Sequence, residues 1–177
     1  SITGYTCADL FGQSLLLEEA EMALMQIMNN TRQMDIISII GMPVVMNSTL
    51  LNSAVVFQKG KILGIVPKTY LPNYKEFYEQ RWFTSALNHP DANVRLCGQN
   101  VPVSANLLFD TPETCFGIEI CEDMWAPIPP SSALALKGAE IIFNMSADNE
   151  GISKHNYVRS LVSQQSARLS LIHISEP

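Results

Sequence analysis

Apolar positions along this chain change their period several times, and each change marks an element. Over residues 14–31, Leu16, Ala20, Ala23, Leu24, Ile27 and Met28 recur at three- and four-residue steps, the spacing of one helical face. Glu18, Glu19 and Glu21 fall in the first half, where the positive end of a helix dipole favours carboxylates. Residues 36–40 form a nearly continuous apolar run closed by Gly41-Met42-Pro43, which reads as a strand covered on both faces. Residues 53–58 and 61–66 read as strands joined at Lys59-Gly60, where glycine supplies the positive φ of a tight hairpin. Residues 107–109 and 115–120 pair around the turn Asp110-Thr111-Pro112-Glu113. Residues 84–106 are less regular, with a turn at Asn88-His89-Pro90-Asp91. Residues 133–138 read as a helix end stopped by Gly138, residues 139–145 as a buried strand, and residues 157–168 as an amphipathic helix. Residues 169–177 continue no pattern. Helices alternating with strands and hairpins predict a layered α/β architecture.

Composition narrows the class. The 177 residues, 47% hydrophobic and 16% charged, suit about one globular domain. A formal net charge of −6 gives no reason to expect nucleic acid or an anionic membrane as partner, and no apolar run approaches a membrane span. Cys7, Cys97, Cys115 and Cys121 contain no C-x-x-C pair, which argues against a disulfide scaffold or a zinc site. His89, His155 and His173 are not placed like metal ligands, so no metal is expected. A reducing, cytoplasmic setting fits. The chain opens at Ser1 without a methionine and is expected to be a fragment.

Two stretches carry candidate chemistry. In Cys115-Phe116-Gly117-Ile118-Glu119-Ile120-Cys121-Glu122-Asp123-Met124-Trp125, Cys121 stands where a buried strand gives way to a polar segment, a placement that suits a nucleophile. Glu119, Glu122 and Asp123 surround it with negative charge, which disfavours a thiolate. Taken alone, the run fits an inert buried cysteine better. Lys68 leaves the strand ending at Val66 and enters an aromatic, proline-containing loop, Thr69 to Phe83. Such a loop can wall a pocket with a few placed polar groups, or simply close a core.

The segments Pro67-Lys68-Thr69-Tyr70-Leu71-Pro72, Gly117-Ile118-Glu119-Ile120-Cys121-Glu122-Asp123 and Asn144-Met145-Ser146-Ala147 together resemble the nitrilase, or carbon–nitrogen hydrolase, superfamily. Within it, Ile2-Thr3-Gly4-Tyr5 and Gln164-Gln165-Ser166-Ala167-Arg168 are similar to the amino-terminal glutaminase domain of glutamine-dependent NAD synthetases. The resemblance runs over residues 1–168, read as a partial carbon–nitrogen hydrolase domain, and leaves 169–177 as an anomalous tail, truncated or foreign. It implies a nitrilase-like αββα sandwich, incomplete at both ends, with a Glu-Lys-Cys triad. By position, Cys121 corresponds to the nucleophile and Lys68 to the lysine that stabilises the tetrahedral intermediate and supplies the missing cation. Glu76 corresponds to the superfamily's additional glutamate, orienting Lys68 or the attacking group. The resemblance further implies Tyr74, Glu79, Trp125 and Asp148 for the glutamine pocket, with Glu79 or Asp148 receiving the α-amino group, and the backbone N–H of Glu122 as an oxyanion donor.

The family's general base lies in a Pro-Glu segment ahead of the Ile-Thr-Gly-Tyr stretch, so this chain as given is expected to lack it and to be poorly active. The resemblance implies glutamine as substrate, a synthetase domain of the same chain as partner, and a homo-oligomer. ATP and magnesium are expected in that absent synthetase domain, with no cofactor in this segment. Two rival readings are a free-standing amidase acting on another small amide and a catalytically dead scaffold.

Overall fold

The computed structural model describes residues 2–147, 149 and 151–176, with only the backbone of Glu176. It divides into two compact units, one up to Ala105 and one from Asn106 onward.

In the first unit a 3-10 turn, Ala8–Gly12, leads into helix α1, Ser14–Asn30. Five strands follow: β1 Ile37–Met46, β2 Thr49–Gln58, β3 Lys61–Pro67, β4 Ala92–Leu96 and β5 Gln99–Val103. They form one sheet in the order β1-β2-β3-β5-β4, antiparallel throughout except between β3 and β5. The stripe read from the sequence is the face α1 buries: Ala20, Leu24 and Met28 pack on Met42, Leu51, Val55, Phe57 and Ile65. Each fully buried aliphatic side chain of this kind contributes about 1.5–3 kcal/mol.

Two expectations change here. Gly41-Met42-Pro43 does not close β1; the strand runs on to Met46 and turns at Asn47-Ser48, both with positive φ, 50° and 63°. Proline is tolerated because β1 is an edge strand, with one side owing no ladder bonds. The same position leaves Ile37, Ile39 and Ile40 only half-buried, not covered on both faces. Residues 84–106 also contain a hairpin, β4–β5, turning at Cys97-Gly98. Asn93, Arg95, Asn100 and Pro102 face solvent along it, which thins the apolar signal below recognition. The hairpin at Lys59-Gly60 forms as expected, with φ of 50° and 80°.

The second unit holds β6 Phe109–Asp110, β7 Cys115–Glu119, α2 Pro130–Leu136, β8 Ile141–Met145, α3 Lys154–Leu169 and β9 Ile172–Glu176. The sheet order is β6-β7-β8-β9, with β7, β8 and β9 parallel and β6 antiparallel to β7. Helices α2 and α3 are the crossovers that parallel strands require. Gly138, φ 107°, follows α2 as its stop. Residues 169–177, without a readable pattern, supply β9, whose residues pair with β8 from Ile172 to Glu176. Pairing with an open strand edge needs backbone groups alone and does not bear on the segment's ancestry. Among the described residues no helix is long and apolar enough to cross a membrane.

Gly117 lies in β7 beneath α2, and a Cβ there would stand 2.9 Å from Leu134 Cδ1 and 3.2 Å from Ile142 Cδ1. Both neighbours are fully buried and cannot swing aside. Gly117→Ala is therefore expected to destabilise the fold by about 1–3 kcal/mol through overpacking, read as a lower denaturation midpoint with an unchanged m-value.

Candidate active site

Lys68 is the first residue after β3. Its backbone N–H donates to the Asn52 carbonyl at 2.8 Å, and its own carbonyl accepts from Ala86 N at 2.9 Å, so the chain is fixed on both sides of it. The side chain is only 1% exposed. A buried ammonium is costly without a counter-ion, and Glu79 supplies it: Lys68 Nζ donates to Glu79 Oε1 at 2.6 Å. Glu79 opens the 3-10 turn Glu79–Arg81 and is equally buried. Its Oε1 also accepts from the Tyr5 hydroxyl at 3.0 Å, and its Oε2 from Asn52 Nδ2 at 3.3 Å.

This redistributes two expected roles. The carboxylate beside the lysine is Glu79, whereas Glu76 lies on the surface. They are three positions apart in an irregular loop, and the turn at 79–81 points the later one inward. A carboxylate already engaged by three donors is poorly placed to take a substrate ammonium as well. Tyr74, half exposed, stacks edge-on against Phe77 with centroids 5.8 Å apart. Sequence reasoning passed over Asn52 and the contact role of Tyr5. Asn52 lies just ahead of the strand read at 53–58, and β2 in fact begins at Thr49, so no local pattern marked it.

The loop that carries Glu79 is held down by the amino-terminal segment. Arg81 Nε and Trp82 Nε1 both donate to Asp9 Oδ1, at 2.8 and 3.0 Å, and Phe11 packs on Phe83. The Arg81 guanidinium beside Asp9 holds its carboxyl down at about 2.

In the second unit Cys121 begins a 3-10 turn, Cys121–Trp125, two residues beyond β7. Its φ is 48°, the left-handed region that a side chain other than glycine enters at a cost of about 1–3 kcal/mol. Such strain persists only where the surroundings over-determine it, and here they do. Asn144 Nδ2 donates to the Cys121 carbonyl and to Glu119 Oε1, each at 3.4 Å. Glu119 Oε2 accepts from Ser131 N at 3.0 Å, and Asp123 Oδ2 accepts from Ile120 N at 2.9 Å. His173 Nε2 stands 3.0 Å from Glu119 Oε1. Two of the three carboxylates that made the thiol look disfavoured, Glu119 and Asp123, are thus committed to neighbouring N–H groups.

Trp125 stacks on Tyr157, centroids 5.4 Å apart, with Lys154 Nζ 6.0 Å from its ring. It lines a cavity of about 230 Å³ with Met124, Ser146, Lys154, His155 and Arg159 among its walls. Asp148 lies outside the described residues.

Residues 1–169 match the carbon-nitrogen hydrolase family. The chain belongs to that family. It is 35% identical to the glutamine-dependent NAD(+) synthetase of Mycobacterium tuberculosis over 171 residues, covering 95% of this chain and 25% of that protein. To the human glutamine-dependent NAD(+) synthetase it is 33% identical over 181 residues, 98% of this chain and 26% of that one. It therefore spans about a quarter of the length of these relatives. A solved glutamine-dependent NAD(+) synthetase from Cytophaga hutchinsonii superposes with a TM-score of 0.85 at 26% identity, over 98% of this chain and 28% of that one. A nitrilase-superfamily amidase from Nesterenkonia superposes at 0.70 with 14% identity, over 97% of this chain and 58% of that one, a likeness of fold alone. The nitrilase-like α/β class expected from the sequence is therefore the observed one.

Within this carbon–nitrogen hydrolase, two thiols are set apart by their surroundings. Burial, then Glu21, pushes the Cys97 thiol up to about 11. Burial, then a hydrogen bond with Asp110, pushes Cys115 up to about 11 as well. Because the thiolate is the reactive form, alkylation of Cys97 and Cys115 is expected to be negligible at pH 7–8 and to rise only as pH approaches 11, as peptide mapping after iodoacetamide would show. The Lys68–Glu79 pair is testable through stability: Glu79→Leu leaves a buried ammonium uncompensated and is expected to cost about 3–5 kcal/mol. Combining it with Lys68→Met should restore much of that loss in a denaturant titration.

Proposed function

We propose that this chain is the glutamine amidohydrolase part of a glutamine-dependent NAD synthetase. The observation that carries the reading is the buried Lys68 ammonium, fixed by Glu79 at the end of β3, in a family member similar along nearly its whole length to synthetases of that name. In this reading Cys121 and Lys68 serve one reaction. The Cys121 thiolate attacks the carboxamide carbon of glutamine, forming a C–S bond. The C–N bond then breaks, and the nitrogen leaves as ammonia once it has taken up a proton. Water hydrolyses the resulting thioester to glutamate and restores the thiol.

Each step passes through an oxyanion. Lys68 has three N–H donors, of which Glu79 takes one, and another is assigned to the oxyanion together with the backbone N–H of Glu122. Such a donor is worth about 100- to 1,000-fold in rate. Glu79 holds the ammonium in place. Tyr74, Trp125 and Asp148 are assigned to the substrate side. The cations beside Trp125, Lys154 and Arg159, suit the α-carboxylate of glutamine. The free cysteines suit a reducing cytoplasm.

The ammonia would amidate deamido-NAD with ATP and magnesium in a synthetase domain outside this chain, within a homo-oligomer. The test uses the protein expressed from its whole reading frame. A glutamine-like electrophile such as a diazoketone is expected to label Cys121, and Cys121→Ala to abolish glutamine hydrolysis while activity with free ammonia persists. Labelling elsewhere, or hydrolysis that survives Cys121→Ala, would overturn the reading.

A further inference from the structure

Asn52 is an unusual residue for its place. Asparagine is depleted in strands, and Asn52 sits in β2 between Leu51 and Ser53, ahead of the apolar run Ala54 to Phe57. By strand alternation it shares a face with Ala54 and Val56, both fully buried. Asn52 itself is half-buried, and local rules are broken most often where a site requires it.

Its backbone carbonyl and its side-chain amide both serve one ion pair. The Asn52 carbonyl accepts the Lys68 N–H at 2.8 Å, and the Asn52 carboxamide donates to Glu79 Oε2 at 3.3 Å. The two partners come from different segments, the end of β3 and the turn at 79–81. Asn52 itself belongs to a strand paired on both sides, with β1 and β3. It is therefore a rigid reference point against which both halves of the pair are set.

We infer that Asn52 is a positioning residue for the Lys68 ammonium. Its carbonyl sets where the Lys68 backbone leaves the sheet, and its carboxamide stops the Glu79 carboxylate from rotating. Lys68 Nζ and the Tyr5 hydroxyl both use Oε1, which leaves Oε2 to Asn52. Released there, the carboxylate turns about its last bond and carries the ammonium with it. This role rests on the assignment of Lys68 to the oxyanion. A displacement on the order of 1 Å at a reacting centre costs up to about 100-fold in rate, and loss of one of several restraints is expected to cost about ten-fold.

The experiment measures steady-state glutamine hydrolysis by the protein expressed from its whole reading frame. Asn52→Leu, close in volume but without the donor, is expected to lower kcat about ten-fold and leave KM within about two-fold, the pattern of an interaction felt in the transition state. In a Glu79→Gln background the same substitution is expected to add little, since coupled residues are not additive. Asn52→Asp keeps the shape but sets a second carboxylate against Glu79, and is expected to lower kcat further. It takes the place of the leucine variant if that one does not fold. Wild-type kcat in either folded variant, or an undiminished ten-fold loss in the Glu79→Gln background, would overturn the positioning role. Cys121→Ala separates the two levels: hydrolysis that survives it removes the glutaminase reading itself, whereas its abolition beside a normal Asn52 variant removes only the positioning role.

Discussion

A primary ammonium and a carboxylate, each about 1% exposed and 2.6 Å apart, dictate how much of the first unit is arranged. Neither charge tolerates burial alone, and the attraction that offsets desolvation requires tight geometry and further hydrogen bonds. The chain meets that demand from several directions. Strand β2 contributes Asn52, the amino-terminal segment contributes Tyr5, and the backbone on either side of Lys68 is tied to residues 52 and 86. The aromatic loop from Thr69 to Phe83 thereby acquires a structural purpose, because it must return Glu79 to the end of β3. The Asp9–Arg81 pair and the Phe11–Phe83 contact hold that return in place from outside, where an exposed ion pair by itself adds little.

The second unit solves a different problem with similar means. Cys121 must leave a largely buried strand and adopt a backbone conformation that side chains avoid. The strain is held by Asn144 on its carbonyl and by Glu119 and Asp123, which collect N–H groups from Ser131, Asn144 and Ile120. Acidic residues that seem hostile to a thiolate in a linear reading become braces once their donors are known. Carboxylates accept several hydrogen bonds at once, so a cluster of them beside a strained turn stabilises geometry as readily as it sets potential.

Much of this organisation is legible in the linear chain, for reasons that can be named. The α1 stripe is read correctly because Ala20, Leu24 and Met28 lie on one helical face. The Lys59-Gly60 hairpin and the Gly138 stop follow from residues that tolerate positive φ. The β4–β5 hairpin is hidden because four of its ten strand residues face solvent. The length of β1 is hidden because Pro43 mimics a terminator unless the strand is known to lie at an edge.

Local sequence thus determined α1, the Lys59-Gly60 hairpin, the Gly138 stop and the order of the motifs, since period, turn chemistry and motif spacing are short-range properties. Tertiary structure decided which carboxylate meets Lys68. Glu76 and Glu79 are equivalent in type and three positions apart, so no periodic rule in an irregular loop ranks them. The choice came from where the turn at 79–81 directs its side chain and from donors on Tyr5 and Asn52, distant in sequence. Burial of a charge is settled by everything that surrounds it, and that is a property of the folded chain alone.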